Sequence, residues 1–362
     1  MGSSRRVVQA LILGVSFVLV GVLVWFIATP VPLPVVLFRS QGMDEQIRSS
    51  DRVITSLVPD GGPGCSAAVG RDGTVAWAGA AGLADIPAGI PVTTDTRFEI
   101  ASVTKQFTAT AILMLQRQGL LTVADPISSY VDGLPDWGDE VTIDELIHHT
   151  SRISDFWVEL DDIGIGFGGA ADQATALAAI SRVDELEEGE GFLYSNSNYV
   201  LLAEVVTRVT GLSLPDFLAQ NIFQPLGLNM VMSPTLAAPD IALPYDDNHQ
   251  LFVSGWTLYG PTGIITTPSE LVRWGDQYRT GNIIQDDFSA GAVYEAEGEY
   301  YAAAMDIEVD GDLNHTGLWG GYISEFTVSE DRHTVIAVTC NGHNGNRFGI
   351  ADALWAIWRP VA

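Results

Sequence analysis

The chain of 362 residues is strongly acidic, with 45 Asp and Glu against 17 Lys and Arg, and 47% of it is hydrophobic. This length and apolar content are enough to bury a large core in one or two domains, which excludes an intrinsically disordered protein. The formal net charge of −28 excludes nucleic acid as a partner, because phosphate binding needs a basic surface.

A largely apolar run without charged residues, 7–28, follows Arg5 and Arg6 at the N-terminus. As a helix it would span about 33 Å, enough to cross the hydrocarbon core of a bilayer, and the arginines favour a cytoplasmic N-terminus. A cleaved signal peptide is the alternative. The predicted segments are a cytoplasmic tail (1–6), a transmembrane signal anchor (7–28), an extended proline-containing spacer (29–44) and an extracytoplasmic domain (45–362).

The body of the chain begins with a predicted hairpin, in which "CSAAVG" and "TVAWAG" flank the turn "RDG". A helix over "TKQFTATAILMLQRQG" follows, and then helical pieces and loops at about 121–259. The last part contains four predicted strands, "EYYAAAMDIEV", "DLNHTGLW", "SEFTVSED" and "HTVIAVTCNG", before the helix "RFGIADALWAIW". This order predicts an α/β (α+β) fold, in which an antiparallel sheet from both ends of the chain is flanked by helices, with an inserted helical lobe.

Lys105 is the only lysine in the chain, and it lies three residues after Ser102 in "ASVTKQF". At the start of a helix the two side chains share a face, so an uncharged amine can take the proton of the hydroxyl. The helix N-terminus also offers free N–H groups to an oxyanion. Arginine cannot replace this base, because it stays protonated. A capped helix with a surface lysine is the alternative.

The stretch "DIPAGIPVTTDTRFEIASVTKQFTA" resembles the nucleophile segment of the serine β-lactamase and penicillin-binding-protein superfamily. The resemblance covers about 62–356 and is strongest to the branch of class C β-lactamases, DD-peptidases and related esterases. Further similar segments follow in the order of the family, namely "LTVADPISSYV", "VTIDELIHHTS", "NIFQPLGL" and "GIITTPSELVRW". The resemblance implies a β-lactamase/transpeptidase-like fold with Ser102 as nucleophile and Lys105 as base.

Two further motifs carry the resemblance. "FLYSNSNYVLLAEVV" contains the Tyr–x–Asn motif, which implies that Tyr194 shuttles the serine proton with Lys105 and that Asn196 contacts the acyl group. A phenol beside an ammonium is expected to titrate below its ordinary pKa of about 10. A tyrosine that caps a helix is the alternative.

The second motif is His315–Thr316–Gly317 in "HTGLWGGYISEF", which resembles the edge-strand motif of the family and implies substrate binding. Gly317 is expected to let substrate lie against the strand without a side-chain clash. The N–H of Leu318 would complete the oxyanion hole with that of Ser102. A turn histidine near a glycine cluster is the alternative.

Three positions depart from the family pattern. His315 stands where most β-lactamases have lysine, and a neutral imidazole grips a substrate carboxylate less firmly. Arg152 replaces a glycine in "HHTSRISDF", where it either reshapes the loop or binds a substrate carboxylate. Glu188 replaces a proline and is expected to loosen a surface turn. The resemblance also implies that Cys65 and Cys340 lie on neighbouring strands, as a disulfide or as two free thiols.

The function expected from these residues is hydrolysis of an ester or amide through an acyl-enzyme on Ser102. The substrate is predicted to be a small molecule or a peptide. A DD-peptidase or β-lactamase is the alternative within this class, and a non-catalytic penicillin-binding sensor module is the alternative of another class. No cofactor is expected, and the Cys and His spacings predict no metal site.

Overall fold

The computed structural model describes residues 33–236, 238, 240–252, 254–342 and 345–359. The chain divides into an N-terminal unit up to Arg48 and a main body from Ser49. Residues from 33 onward, predicted as an extended spacer, are helical in α1 (Leu33–Leu57). The spacer prediction is wrong there because Pro34 falls in the first turn of the helix, where a missing N–H breaks no hydrogen bond. The predicted anchor (7–28) lies outside the described residues, and none of the helices within them is long and apolar enough to cross a membrane.

The strands are β1 (Cys65–Arg71), β2 (Thr74–Ala81), β3 (Leu83–Asp85), β4 (Ile90–Pro91), β5 (Phe98–Glu99), β6 (Ala171–Asp172), β7 (Val231–Met232), β8 (Trp256–Thr257), β9 (Ile264–Thr266), β10 (Val293–Tyr294), β11 (Tyr300–Tyr301), β12 (Asp306–Ile307), β13 (Leu313–Trp319), β14 (Tyr322–Val328) and β15 (Thr334–Cys340). The main sheet has eight strands in the order β10-β11-β12-β13-β14-β15-β1-β2, and all neighbours are antiparallel. The predicted antiparallel sheet built from both ends of the chain is therefore confirmed.

The remaining α-helices of the described residues are α2 (Lys105–Arg117), α3 (Ile143–Ile147), α4 (Phe156–Asp162), α5 (Gln173–Ile180), α6 (Asn196–Thr210), α7 (Leu214–Leu218), α8 (Gln224–Leu226), α9 (Pro268–Gly275), α10 (Gln277–Thr280) and α11 (Arg347–Trp358). Helices α9 and α11 pack on the main sheet, and α2 packs on α6. Phe107 of α2 stacks on Trp274 of α9 with 4.3 Å between ring centroids. This buried contact fixes α2, whose N-terminus carries Lys105, against the helices that cover the sheet.

A disulfide joins the first and last long strands of the main sheet. Cys65 and Cys340 are register partners of β1 and β15, and their sulfurs are bonded. The alternative of two free thiols is therefore wrong. The bond closes a separation of 275 residues, and a cross-link of this kind stabilises a fold by about 2–5 kcal/mol, mainly by restricting the unfolded chain.

Candidate active site

Ser102 is the second residue of a 3-10 turn, Ala101–Thr104, that leads directly into α2. Ala101, immediately before it, has φ +51°, in the left-handed region that a residue with a Cβ rarely adopts. Such a conformation costs of the order of 1–3 kcal/mol and persists only where surrounding contacts hold it. Because Ser102 lies in a first turn, its N–H has no partner within the helix and is free to bind an oxyanion.

Lys105 lies buried beside this serine. Its Nζ donates to Ser102 Oγ at 3.0 Å, to Asn196 Oδ1 at 2.8 Å and to the Pro261 carbonyl at 3.2 Å. Burial lowers the pKa of Lys105 to about 7, against the opposing charges of Asp155 and Glu99. The amine is therefore uncharged in a large fraction of molecules near neutral pH. In that form its lone pair can accept a proton from Ser102 Oγ.

Tyr194 stands on the other side of the amine, with its ring centroid 4.8 Å from Lys105 Nζ. The residue is 38% exposed at the pocket wall, but its hydroxyl is turned inward to Ser102. Burial of the hydroxyl raises the pKa of Tyr194 above its ordinary value, and the hydrogen bond with Ser102 offsets only part of this. The expectation of a lowered pKa is wrong, because desolvation and the charges of nearby carboxylates outweigh the hydrogen bond with Ser102. Tyr194 is therefore a neutral phenol, which can donate a hydrogen bond.

Asn196, the first residue of α6, makes hydrogen bonds through both its amide oxygen and its nitrogens. Its Oδ1 accepts from Lys105, while its Nδ2 and backbone N donate to Asp155 Oδ2 at 2.7 and 2.9 Å. The structure thus places Asn196 as a bridge between the amine and a buried carboxylate that the sequence did not reveal. In the sequence Asp155, which follows "HTSRIS", is one of 45 acidic residues and has no distinguishing pattern. Only its hydrogen bonds with Asn196 in the structure set it apart from the other acids.

Strand β13 forms the facing wall of the pocket. His315, Thr316 and Leu318 line the same cavity of about 410 Å³ as Ser102 and Tyr194. His315 Nδ1 donates to the Thr316 carbonyl at 2.7 Å, and its Nε2 accepts from the Tyr301 hydroxyl at 3.2 Å. Burial, together with the charge of Lys105, lowers the pKa of His315 to about 3. His315 is therefore a neutral imidazole.

Gly317 is required by packing against the nucleophile turn. A Cβ at this position would lie 2.3 Å from Ser324 Oγ, 2.6 Å from the Ile100 carbonyl oxygen and 2.8 Å from Ala101 Cβ. The clearance that Gly317 gives to substrate stays a prediction, and the structure adds a packing role. The glycine lets β13 approach the turn that presents Ser102, and this approach brings Leu318 to the nucleophile.

Arg152 does not line the pocket. Its φ of +63° explains why the resembling family has glycine here. The guanidinium donates to the Glu187 carbonyl at 3.3 Å and also to the Glu188 carbonyl. Of the two predicted roles, loop shaping fits the structure, because Nε and Nη2 donate to the loop 187–188. Substrate binding stays a prediction. Glu188 is likewise held by this contact rather than loosening the turn.

Two acidic side chains that the sequence did not single out, Glu295 and Asp306, also line the cavity. Burial, together with the charge and hydrogen bond of Glu295, raises the pKa of Asp306 to about 8. In a chain so rich in acids, "YEAEGEY" reads as an ordinary solvated hairpin. Only the fold of β10 to β12 places these carboxylates beside the nucleophile.

Three other carboxylates, those of Glu308, Asp310 and Asp312, lie within 4.8 Å of one another. Arg359 is paired with Asp310 at 2.5 Å and with Asp312 at 3.4 Å. The guanidinium of Arg359 therefore already neutralises two of the three carboxylates. The cluster is an ion-pair network.

A serine, a buried amine, a phenol and a free helix N-terminus around one cavity define an active-serine hydrolase. The Beta-lactamase family model matches residues 51–357, and the chain belongs to this family. It is 34% identical over 282 residues to penicillin-binding protein 4* of Bacillus subtilis (strain 168), covering 67% of this chain and 60% of that protein. It is 32% identical over 169 residues to a D-aminopeptidase of Brucella anthropi, covering 46% of this chain and 32% of that enzyme.

The fold is also that of a solved penicillin-binding protein from Bacillus halodurans. The TM-score is 0.75 at 20% identity, with 85% of this chain and all of that chain covered. The chain spans less than two thirds of the length of the two curated relatives. The predicted superfamily and the prediction of a serine hydrolase are both confirmed.

Proposed function

We propose that this protein is a membrane-anchored, extracytoplasmic serine hydrolase that cleaves an ester or amide through an acyl-enzyme on Ser102. The observation that carries the proposal is the buried amine of Lys105, 3.0 Å from Ser102 Oγ, with a pKa lowered to about 7. A general base whose pKa lies near the working pH is at its most effective.

The reaction begins when Ser102 Oγ attacks the acyl carbon and its proton passes to Lys105, directly or through Tyr194. The backbone N–H groups of Ser102 and Leu318 bind the oxyanion of the tetrahedral intermediate. When the intermediate collapses, the bond to the leaving group breaks and Tyr194 supplies the proton that this group needs. Water then hydrolyses the ester on Ser102 and restores the hydroxyl.

The proposed location rests on two features. The apolar run 7–28 after Arg5 and Arg6 is long enough for a signal anchor. The disulfide between Cys65 and Cys340 suits an oxidising compartment outside the cytoplasm. Fractionation of cells that express the full chain tests the location.

The charges of the cavity disfavour substrates that present a carboxylate. His315 is neutral, Arg152 is held by its loop, and the acidic side chain of Glu295 lines the cavity, whereas the raised pKa of Asp306 leaves that group largely protonated near neutral pH. A β-lactam or a peptide ending in D-Ala offers a carboxylate to such a site. An ester or amide without one is therefore the proposed substrate, ahead of the DD-peptidase and β-lactamase alternatives. The sensor alternative is the weakest, because Ser102, Lys105 and Tyr194 are all present.

The acyl-enzyme is tested by labelling the protein with a fluorophosphonate and locating the adduct by mass spectrometry. We expect one adduct, on Ser102, and none in the Ser102→Ala variant at equal folded concentration. Folded wild-type protein without an adduct, or with its adduct on another serine, would contradict the proposal. Nitrocefin, p-nitrophenyl butyrate and a D-Ala-D-Ala peptide, assayed side by side, then rank the three substrate classes.

A second candidate is an aminopeptidase-like selectivity for acyl groups that carry a free ammonium. The observation that favours it is the acidic pair Glu295 and Asp306 within the cavity of Ser102. An ammonium placed there would stabilise the ionised form of Asp306, whose pKa is otherwise raised to about 8. The name of the Brucella anthropi relative, D-aminopeptidase, is consistent with this candidate.

This selectivity is measured with alanine p-nitroanilide, in both enantiomers, against its N-acetyl derivative. We expect the free amine to be favoured by roughly tenfold or more in kcat/KM, as one charge-assisted contact supplies. The double variant Glu295→Gln/Asp306→Asn should abolish the preference. Glu297→Gln, at the exposed tip of the same hairpin, is the matched control and should retain it. Equal cleavage of the two substrates by the wild type would refute the candidate.

A further inference from the structure

Glu99, at the end of β5, is a buried carboxylate with three hydrogen bonds and only 1% of its surface exposed. Its Oε2 accepts from the Ala101 N–H at 2.9 Å. Its Oε1 accepts from Thr262 Oγ1 at 2.6 Å and from the Gly263 N–H at 2.8 Å. One carboxylate thus joins two backbone segments that are distant in sequence.

Both segments support the reacting pair. The first is the turn Ala101–Thr104, whose left-handed Ala101 presents Ser102. The second is the loop 260–263, where the Pro261 carbonyl accepts from Lys105 Nζ at 3.2 Å and the Gly260 carbonyl accepts from Thr108 of α2 at 2.7 Å. A shift of the loop relative to the turn would change the distance between the amine and the hydroxyl.

We propose that Glu99 is a positioning residue, which ties the strained turn of Ser102 to the loop that holds Lys105 and places a negative charge beside the amine. The inference rests on the proposed acyl-enzyme function of Ser102. Glu99 does not touch the reacting atoms, so it acts through the geometry and protonation of Lys105 and Ser102. Buried hydrogen bonds to a charged acceptor are strong enough to hold such a turn.

The negative charge of Glu99 changes the pKa of Lys105 in a definite direction. The groups that face Lys105 are the carboxylates Asp155 and Glu99, the imidazoles of His149 and His315, and the rings of Tyr194 and Tyr199. The imidazoles are neutral, because burial lowers the pKa of each. Ionised Asp155 and Glu99 raise the pKa of Lys105 against desolvation. Burial raises the pKa of Glu99 itself to about 7, while its three hydrogen-bond donors favour the ionised form. Removal of one carboxylate therefore lets the amine lose its proton at a lower pH.

The test is the second-order rate constant of fluorophosphonate labelling at Ser102, measured across pH. We expect Glu99→Gln to lower the plateau rate about 10- to 100-fold, because its amide offers one acceptor where the carboxylate offers two and the turn loosens. The midpoint of the acid limb should also move to lower pH. Glu99→Asp keeps the charge but shortens the reach, so we expect a lower plateau with the midpoint unchanged.

Glu325→Gln is the matched control. Glu325 on β14 is also a buried carboxylate, with its pKa raised to about 7 by burial, but its charged neighbours are Arg347, Asp352 and Glu308. This variant should keep the wild-type plateau and midpoint. Unchanged labelling of Glu99→Gln, or a lower plateau with a wild-type midpoint, would overturn the inference. If wild-type Ser102 is not labelled at all, the proposed function itself fails, which is a distinct outcome.

Discussion

The Lys105→Arg variant is expected to acylate Ser102 about 10²- to 10⁴-fold more slowly than the wild type, the range of a lost general base. Arginine stays protonated at every working pH and cannot take the proton of the hydroxyl. In the wild type the acid limb of labelling should have its midpoint near the lowered pKa of about 7. Below that pH the amine is charged and inactive, and above it the amine is neutral and the rate reaches its plateau.

Because Lys105 is fully buried, arginine can also disturb packing. Lys105→Met is therefore measured beside it, since this side chain has a similar length, no charge and no base. Both variants should retain the near-ultraviolet circular dichroism of the Ser102→Ala protein. Wild-type labelling of the folded methionine variant would show that Lys105 is not the base.

The Gly317→Ala variant is expected to lose roughly 100-fold in kcat/KM, the order that a displacement of about 1 Å costs at an active site. Its Cβ would stand 2.6 Å from the Ile100 carbonyl oxygen and 2.3 Å from Ser324 Oγ, so β13 or the turn must move. Such overpacking also destabilises the fold by about 1–3 kcal/mol. Thermal unfolding and fluorophosphonate labelling measure the two effects separately.

Gly168→Ala is the control for this substitution, because a Cβ there meets nothing within 4 Å and the backbone is not left-handed. It should leave both kcat/KM and the melting temperature unchanged. Full activity of Gly317→Ala would mean that the close approach of β13 to the nucleophile turn is not needed for catalysis.

The two residues at the centre of the site were predictable because one of them is the only lysine in the chain. Lys105 stands out as the only lysine, and a spacing of three residues on a helix places it on the same face as Ser102. Tyr194 and His315 required the family resemblance, since neither stands out by composition. Their roles in the reaction remain predictions, which the labelling experiments test.

The parts that the sequence did not reveal depend on contacts between distant segments. Glu99 and Asp155 read as ordinary acids until the fold buries them on either side of Lys105. The role of Arg152 depends on a left-handed backbone and on a loop 35 residues away. The pKa of Tyr194 depends on how completely its hydroxyl is desolvated, and no local pattern encodes this.

The sheet was predictable because the apolar strand segments at both ends of the chain each need a partner to cover them. Its register was not, because the pairing of β1 with β15 is set by packing across the whole domain. The prediction of an extended spacer was wrong from residue 33 onward. Three closely spaced prolines suggest extended backbone, but a proline can also occupy the first turn of a helix.

The pairing of β1 with β15 has a consequence for how the protein is made. At a ribosomal rate of about 5–20 residues per second, the 275 residues that separate the two partners take roughly 15–55 s to synthesise. Throughout that interval β1 has no neighbour on one side and exposes an edge that other nascent chains can join. Export of the unfolded polypeptide before the sheet closes, with a holding chaperone on the emerging strand, would therefore protect its yield.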